Sequence, residues 1–230
     1  MKIKICDKEY SIEDKVDTIL ELLMHIKSGS NRSLAFRSGC RSGVCGSCAV
    51  TVNGVEKLAC KTKINNLDDI QPLKNIPIIK DLVVDTSNQK KLLQSTQTYL
   101  HENSNHTITP QDEKAIDISS NCILCNSCFS ACPVYEVNKE FKAPFALVRS
   151  YRYINDKKEN NVSDIIDAVQ ENGIWDCTLC GSCDMVCPAH IPIKDSINQL
   201  RNKSATLGYN TPYTQDFNSN FDFGFNPNGF

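Results

Sequence analysis

The sequence predicts an α+β protein with a strand-rich first half and a helical second half. Three observations carry this. Apolar and polar residues alternate from the start of the chain, and two short strand-like runs at 49–52 and 55–59 flank Asn53-Gly54. Beyond about residue 105 the apolar period lengthens to that of a helix. Thirteen cysteines are far above ordinary usage, and twelve of them gather in three groups that fall within these two halves.

Taken in order, residues 2–6 and 9–12 read as strands around an Asp7-Lys8 turn, followed by a helical pattern at Val16, Ile19, Leu20, Leu23 and Met24. A Gly- and Cys-rich loop leads into the hairpin at 49–52 and 55–59, whose two turn residues tolerate positive φ. Residues 76–85 are extended and β-branched, and a helix-like run from Ser87 ends near 99–102. The polar stretch 103–111, with Pro110 near its end, reads as a linker, which places domains at 1–105 and 106–208. Helical patterns then cover 112–119, 144–154, 162–171 closed by Gly173, and 193–207 closed by Gly208. The tail 209–230 mixes Asn, Gly and Ser with Phe217, Phe221, Phe223, Phe225 and Phe230 and has neither period. It reads as disordered in the free chain or as docking on a partner.

Lys and Arg number 25 against 27 Asp and Glu, a balance that gives no reason to expect nucleic acid or an acidic membrane surface as partner. The most apolar stretch, 76–84, is broken by Pro77, Lys80 and Asp81, so no direct membrane span is expected and membrane association has to come through a partner. Residues 1–10 lack the apolar centre of a secretion signal.

The cysteine spacing carries the chemistry. Cys40, Cys45, Cys48 and a distant Cys60 follow C-x4-C-x2-C…C, the plant-type arrangement around a 2Fe-2S cluster. Gly39, Gly43 and Gly46 let backbone N–H groups in that loop turn toward the sulfurs. Zinc or a disulfide pair is the competing reading, disfavoured because zinc sites favour paired C-x2-C units. Cys122, Cys125, Cys128 and Cys132-Pro133 match C-x2-C-x2-C-x3-C-P, and Cys177, Cys180, Cys183 and Cys187-Pro188 match it again. In two-cluster arrangements the fourth cysteine of each run crosses to the other cluster. Cys122, Cys125, Cys128 and Cys187 are therefore expected around one 4Fe-4S cluster, and Cys132, Cys177, Cys180 and Cys183 around another. Cys6 is read as a small apolar residue buried on the first strand, and His190 as solvent-facing or a satisfied core histidine. No paired carboxylates, nucleotide loop or oriented nucleophile stand out, so no catalytic residue is expected in this chain. Structural stapling is the alternative to electron transfer, and three clusters in so short a chain exceed what stapling requires.

The segment Arg37-Ser-Gly-Cys-Arg-Ser-Gly-Val-Cys-Gly-Ser-Cys48, the stretch Ile78-Ile-Lys-Asp-Leu-Val-Val-Asp85 and the two cysteine runs together resemble the iron–sulfur subunit of succinate dehydrogenases and fumarate reductases. The resemblance implies a β-grasp 2Fe-2S ferredoxin-like domain followed by an α-helical ferredoxin domain. It also implies electron relay between an FAD-containing flavoprotein subunit and a membrane-associated, quinone-side subunit. A place on the cytoplasmic face of the inner membrane is expected, or on the periplasmic face if the chain is exported with a partner. In most members the last cluster is 3Fe-4S, because the position that Cys180 holds here is not cysteine. A thiolate at Cys180 favours a complete 4Fe-4S cluster, as in the subgroup whose membrane partner is a cysteine-rich, heterodisulfide-reductase-like protein. Val134-Tyr-Glu-Val137 and Thr178 stand where quinone-reducing relatives commonly place Trp and His, which weakens the expectation of an ordinary quinone pocket. A flavoprotein partner acting as a thiol-dependent fumarate reductase is the enzyme-linked alternative.

Overall fold

The computed structural model describes residues 1–101 and 104–209. Strands β1 (Lys2–Ile5) and β2 (Lys8–Ser11) form an antiparallel hairpin in register Ile5↔Lys8. Its two-residue turn is Cys6-Asp7, with φ of 45° and 66°, one residue earlier than the expected Asp7-Lys8 turn. Two successive positive φ angles give the turn whose twist matches the flanking strands. Cys6 thereby leaves the strand on which it was expected and sits half-buried at the hairpin tip.

Helix α1 (Ile19–Ser28) opens with a capping box: Thr18 Oγ1 accepts from Glu21 N at 3.2 Å, and Glu21 Oε2 accepts from Thr18 N at 3.1 Å. It buries Ile19, Leu20, Leu22, Leu23 and Ile26, whereas Met24 points outward. Strands β3 (Ala49–Val52) and β4 (Val55–Leu58) form the expected hairpin, with Asn53 and Gly54 at φ 51° and 83°. The sequence reading missed β5 (Asp69–Gln71), a three-residue strand with one apolar residue, Ile70. It runs parallel to β1 and antiparallel to β3, closing a five-stranded sheet in the order β2-β1-β5-β3-β4. With α1 packed across it, this is the expected β-grasp core.

The extended segment proves to be a small irregular hairpin, β6 (Ile78–Lys80) and β7 (Val83–Val84), turning at Asp81. Helix α2 (Ser87–Ser95) stops short of the expected 99–102 because side chains take its last carbonyls. Thr96 Oγ1 donates to Leu92 O and Leu93 O, and Thr98 Oγ1 to Leu93 O, while Gln97 turns to φ 49°. Leu92 and Leu93 already pack on the second core, so the chain changes cores ahead of the polar stretch at which a boundary near 105 was expected.

The second half contains α3 (Pro110–Ser120), α4 (Ser127–Ser130), α5 (Pro133–Val137), α6 (Pro144–Ile154), α7 (Val162–Asp167), α8 (Ser182–Met185) and α9 (Ile193–Thr206). Helix α6 is its centre, packed against α3, α4, α7 and α9. Helix α7 ends at Asp167 rather than 171. Lys142 Nζ takes Ala168 O at 2.6 Å, Lys142 N takes Asn172 O at 2.8 Å, and the left-handed residue is Asn172 (φ 49°), not Gly173. Gly208, at φ 90°, follows α9 as expected. Tyr209 packs on the second core, and the rest of the tail, 210–230, lies outside the described residues. Among the described residues no helix is long and apolar enough to cross a membrane.

Candidate metal centres

Cys40 and Cys45 lie in the exposed loop that leads into β3, Cys48 immediately precedes that strand, and Cys60 follows β4. The Asn53-Gly54 hairpin returns the chain so that Cys48 Sγ and Cys60 Sγ stand 3.4 Å apart. Backbone N–H groups of Ser42, Val44 and Cys45 converge on Cys40 Sγ at 3.3–3.4 Å, and Cys40 N points at Cys45 Sγ at 3.3 Å. The Ser42 hydroxyl and these N–H donors lower the Cys40 pKa to about 5, and Ser47, whose Oγ lies 3.1 Å from Cys45 Sγ, lowers that of Cys45. Burial instead raises Cys48 to about 11. The loop is a nest of donors built for negative sulfur. Gly39 closes it, since a Cβ there would fall 2.9 Å from Cys45 Sγ.

The other eight cysteines divide as the crossing pattern requires. One cavity is lined by Cys122, Cys125, Cys128 and Cys187 amid apolar side chains such as Phe145 and Ile191. A second is lined by Cys132, Cys177, Cys180 and Cys183, with Lys194 among its other lining residues. Each quartet therefore takes three thiols from one run and one from the other. Pro133 begins α5 directly after Cys132, and Pro133 and Val134 line the same cavity as that thiol. Among the described residues no three His, Cys, Asp or Glu side chains converge on a single metal ion. The thiols line cavities instead, and quartets of thiols with no other metal-ligating side chain in the wall fit iron–sulfur clusters.

The two runs repeat one backbone. Leu124 and Leu179 both have φ 53°, and Asn126 and Gly181 follow at 65° and 79° before the short helices α4 and α8. Cys125 Sγ and Cys180 Sγ each stand 3.4 Å from the hydroxyl two residues on, Ser127 and Ser182. Burial raises the pKa values of Cys122, Cys125, Cys128, Cys132, Cys177 and Cys183. At Cys180 burial pushes up as well, but the Ser182 hydroxyl and N–H and the Thr178 hydroxyl outweigh it. The sequence held an unread signal for these serines, since Cys-x-Ser recurs at Cys40, Cys45, Cys125, Cys128 and Cys180, although at Cys128 the serine turns to Glu56 instead. Arg201 was also missed. Its guanidinium donates to Ile174 O at 2.8 Å, to Trp175 O at 3.3 Å and to Cys177 O, holding the approach to the second quartet. His190 is exposed in a turn at φ 52°, apart from both cavities.

Residues 3–91 match the family described as a 2Fe-2S iron-sulfur cluster binding domain, and residues 118–191 that described as a 4Fe-4S dicluster domain. Over 213 residues the chain is 34% identical to the fumarate reductase iron-sulfur subunit of Haemophilus influenzae, an overlap of 84% of this chain and 83% of that one. This chain belongs to the fumarate reductase and succinate dehydrogenase iron–sulfur subunit family. The other branch of the family matches too. Identity is 31% to the mitochondrial succinate dehydrogenase [ubiquinone] iron-sulfur subunit 2 of Oryza sativa subsp. japonica, over 80% of this chain and 63% of that one. The fold is that of a chain in the Mycobacterium smegmatis Sdh1 complex in the apo form, at TM-score 0.80 and 22% identity, covering 91% of this chain and 97% of the other. The family's two domain types each coincide with cysteines described above, 40–60 in the first and 122–187 in the second.

Proposed function

We propose that this chain is the electron-transfer subunit of a succinate dehydrogenase/fumarate reductase complex, with the cluster ligands divided as the two cavities and the loop divide the thiols. Cys40, Cys45, Cys48 and Cys60 hold the 2Fe-2S cluster, and Cys122, Cys125, Cys128 and Cys187 a 4Fe-4S cluster. Cys132, Cys177, Cys180 and Cys183 hold a second 4Fe-4S cluster. Clusters bound there supply reversible one-electron transfer. The chain's own part is to hold them at fixed spacing, offer N–H and hydroxyl donors to the sulfurs, and surround the Cys122, Cys125, Cys128 and Cys187 site with apolar side chains. Catalysis on succinate or fumarate belongs to the FAD-containing flavoprotein partner. A membrane-side partner lies at the other end of the relay, and the cytoplasmic face is our assignment.

The observation that carries the finer part of the reading is Cys180. It occupies the repeat of the Cys125 position, with the same left-handed neighbours and the same serine, and it lines the second cavity. A chain built for a three-iron centre has no use for a thiol there. Cys180 itself, with Val134-Tyr-Glu-Val137 and Thr178 in place of the Trp and His common in quinone-reducing relatives, supports a cysteine-rich, heterodisulfide-reductase-like membrane partner over an ordinary quinone pocket.

Iron analysis of the anaerobically purified full chain tests this: about ten irons per chain are expected, against about nine for the three-iron alternative. Cys180→Ser should lower the count by about one and produce a three-iron EPR signal. That signal in fresh wild-type protein would overturn the second cubane, and a colourless or zinc-loaded protein would overturn all three sites.

A further inference from the structure

From 37 to 47, the loop that carries Cys40 and Cys45, one residue is buried: Gly46. It is covered by the second domain. A Cβ built on Gly46 would lie 2.7 Å from Cys125 Cβ, 3.0 Å from Cys125 Cα and 3.2 Å from Ile123 O. The first is a separation that a real Cβ essentially never shows and the other two are tight, and both of those are to backbone atoms, which cannot swing aside. Gly46 also sits at φ 69°, so glycine is doubly required. Cys45 and Cys125 line a single cleft between the domains, which places a thiol of the first site and a thiol of the second on opposite walls.

The far side of this contact is clasped. Cys125 is flanked by Leu124 and Asn126, both left-handed, and this pair of turns pushes the Cys125 backbone outward toward Gly46. Gln89, on α2, donates its one amide group to both neighbours, Leu124 O at 2.8 Å and Asn126 Oδ1 at 3.1 Å. Helix α2 follows directly on β7 of the first domain, so the clasp ties the Cys125 loop to the chain that leaves the other side of the cleft.

We propose that the Gly46–Cys125 contact is the junction through which the first and second cluster sites exchange electrons, and that Gln89 is the positioning residue that sets its width. This rests on the ligand assignment above. At the junction one electron leaves the first site, which is oxidised, and arrives at the second, which is reduced; no proton moves and no bond forms or breaks. The missing Cβ removes a layer of atoms from the gap, and the clasp keeps the gap from varying.

The experiment uses the full chain, purified anaerobically and fully reduced. It reads iron content, the separate EPR signals of the 2Fe-2S and first 4Fe-4S sites, and the magnetic coupling that each imposes on the other's relaxation. Gly46→Ala is expected to keep the iron and both signals and lose the coupling. Gly43→Ala is the control for backbone strain: it shares a positive φ (81°) in the same loop, but its Cβ meets only the flexible Lys61 side chain. It is expected to keep the coupling. Unchanged coupling in Gly46→Ala, or equal loss in both variants, would overturn the junction. If Gly46→Ala fails to load the first site, Gln89→Leu decides with both glycines intact: weakened coupling supports the junction and wild-type coupling overturns it. Wild-type protein lacking either signal would instead overturn the ligand assignment.

Discussion

Arg201 reaches from α9 to three consecutive-turn carbonyls, Ile174 O, Trp175 O and Cys177 O, and stacks over the Trp175 ring at 5.6 Å. A planar fork of donors can do this and an ammonium cannot. Arg201→Lys should therefore cost about 1–3 kcal/mol and release iron from the second quartet before the first, read by following cluster absorbance and EPR during heating. The thiols also differ in ways an apo chain exposes. The thiolate is the nucleophile, so a cysteine with a lowered pKa reacts sooner. Cys40, lowered to about 5 by Ser42 and the loop N–H groups, is a thiolate at neutral pH, whereas Cys48, raised to about 11 by burial, is a thiol. With the metal removed, iodoacetamide at pH 7 should label Cys40 well ahead of Cys48, and mass spectrometry of a time course checks the order. Raising the pH toward 11 should narrow the difference from the Cys48 side.

At the scale of elements, what could be read from sequence was whatever local chemistry decides. Asn53-Gly54 dictates its own turn, Pro144 starts α6, and Gly208 closes α9, all as expected. The grouping of thiols was legible for the same reason, because the spacing in each run is set by one short loop. Elements decided by distant partners were not. β5 exists because β1 and β3 leave a slot between them, and Ile70 alone is too little pattern to announce it. α2 ends early because Thr96 and Thr98 compete for its carbonyls, and α7 because Lys142 arrives from elsewhere to take Ala168 O. Burial lowers the Lys142 pKa, so this contact tightens a cation that the interior disfavours. Lys142→Met should retain the apolar stem, lose the carbonyl bond and destabilise the domain by about 1 kcal/mol, measured as a shift in thermal midpoint. The serines beside the sulfurs were legible in principle, since Cys-x-Ser recurs five times, but a hydroxyl two residues from a ligand carries meaning only once the loop's turn is known.

At the scale of the molecule, the two domains are latched at one serine. Ser130 Oγ donates to Glu56 Oε1 on β4 at 2.7 Å and accepts from Lys74 N at 2.8 Å, while Ser130 O accepts from Asn75 Nδ2 at 3.2 Å. Ser130 is buried midway between Cys128 and Cys132, which line different cavities, so a latch on this residue braces both. Ser130→Ala leaves the buried Glu56 carboxyl without that donor and should cost about 1–3 kcal/mol. Calorimetry is expected to show one melting transition for the wild type and a splitting toward two for the variant. The interlaced cavities have a further consequence, for how the molecule is made. The first of them is walled on one side by residues 122–128 and on the other by 187–193. A nascent chain therefore has no finished inner compartment until residues as far as 193 have left the ribosome, and maturation of this site has to wait for both cysteine runs rather than follow each as it emerges.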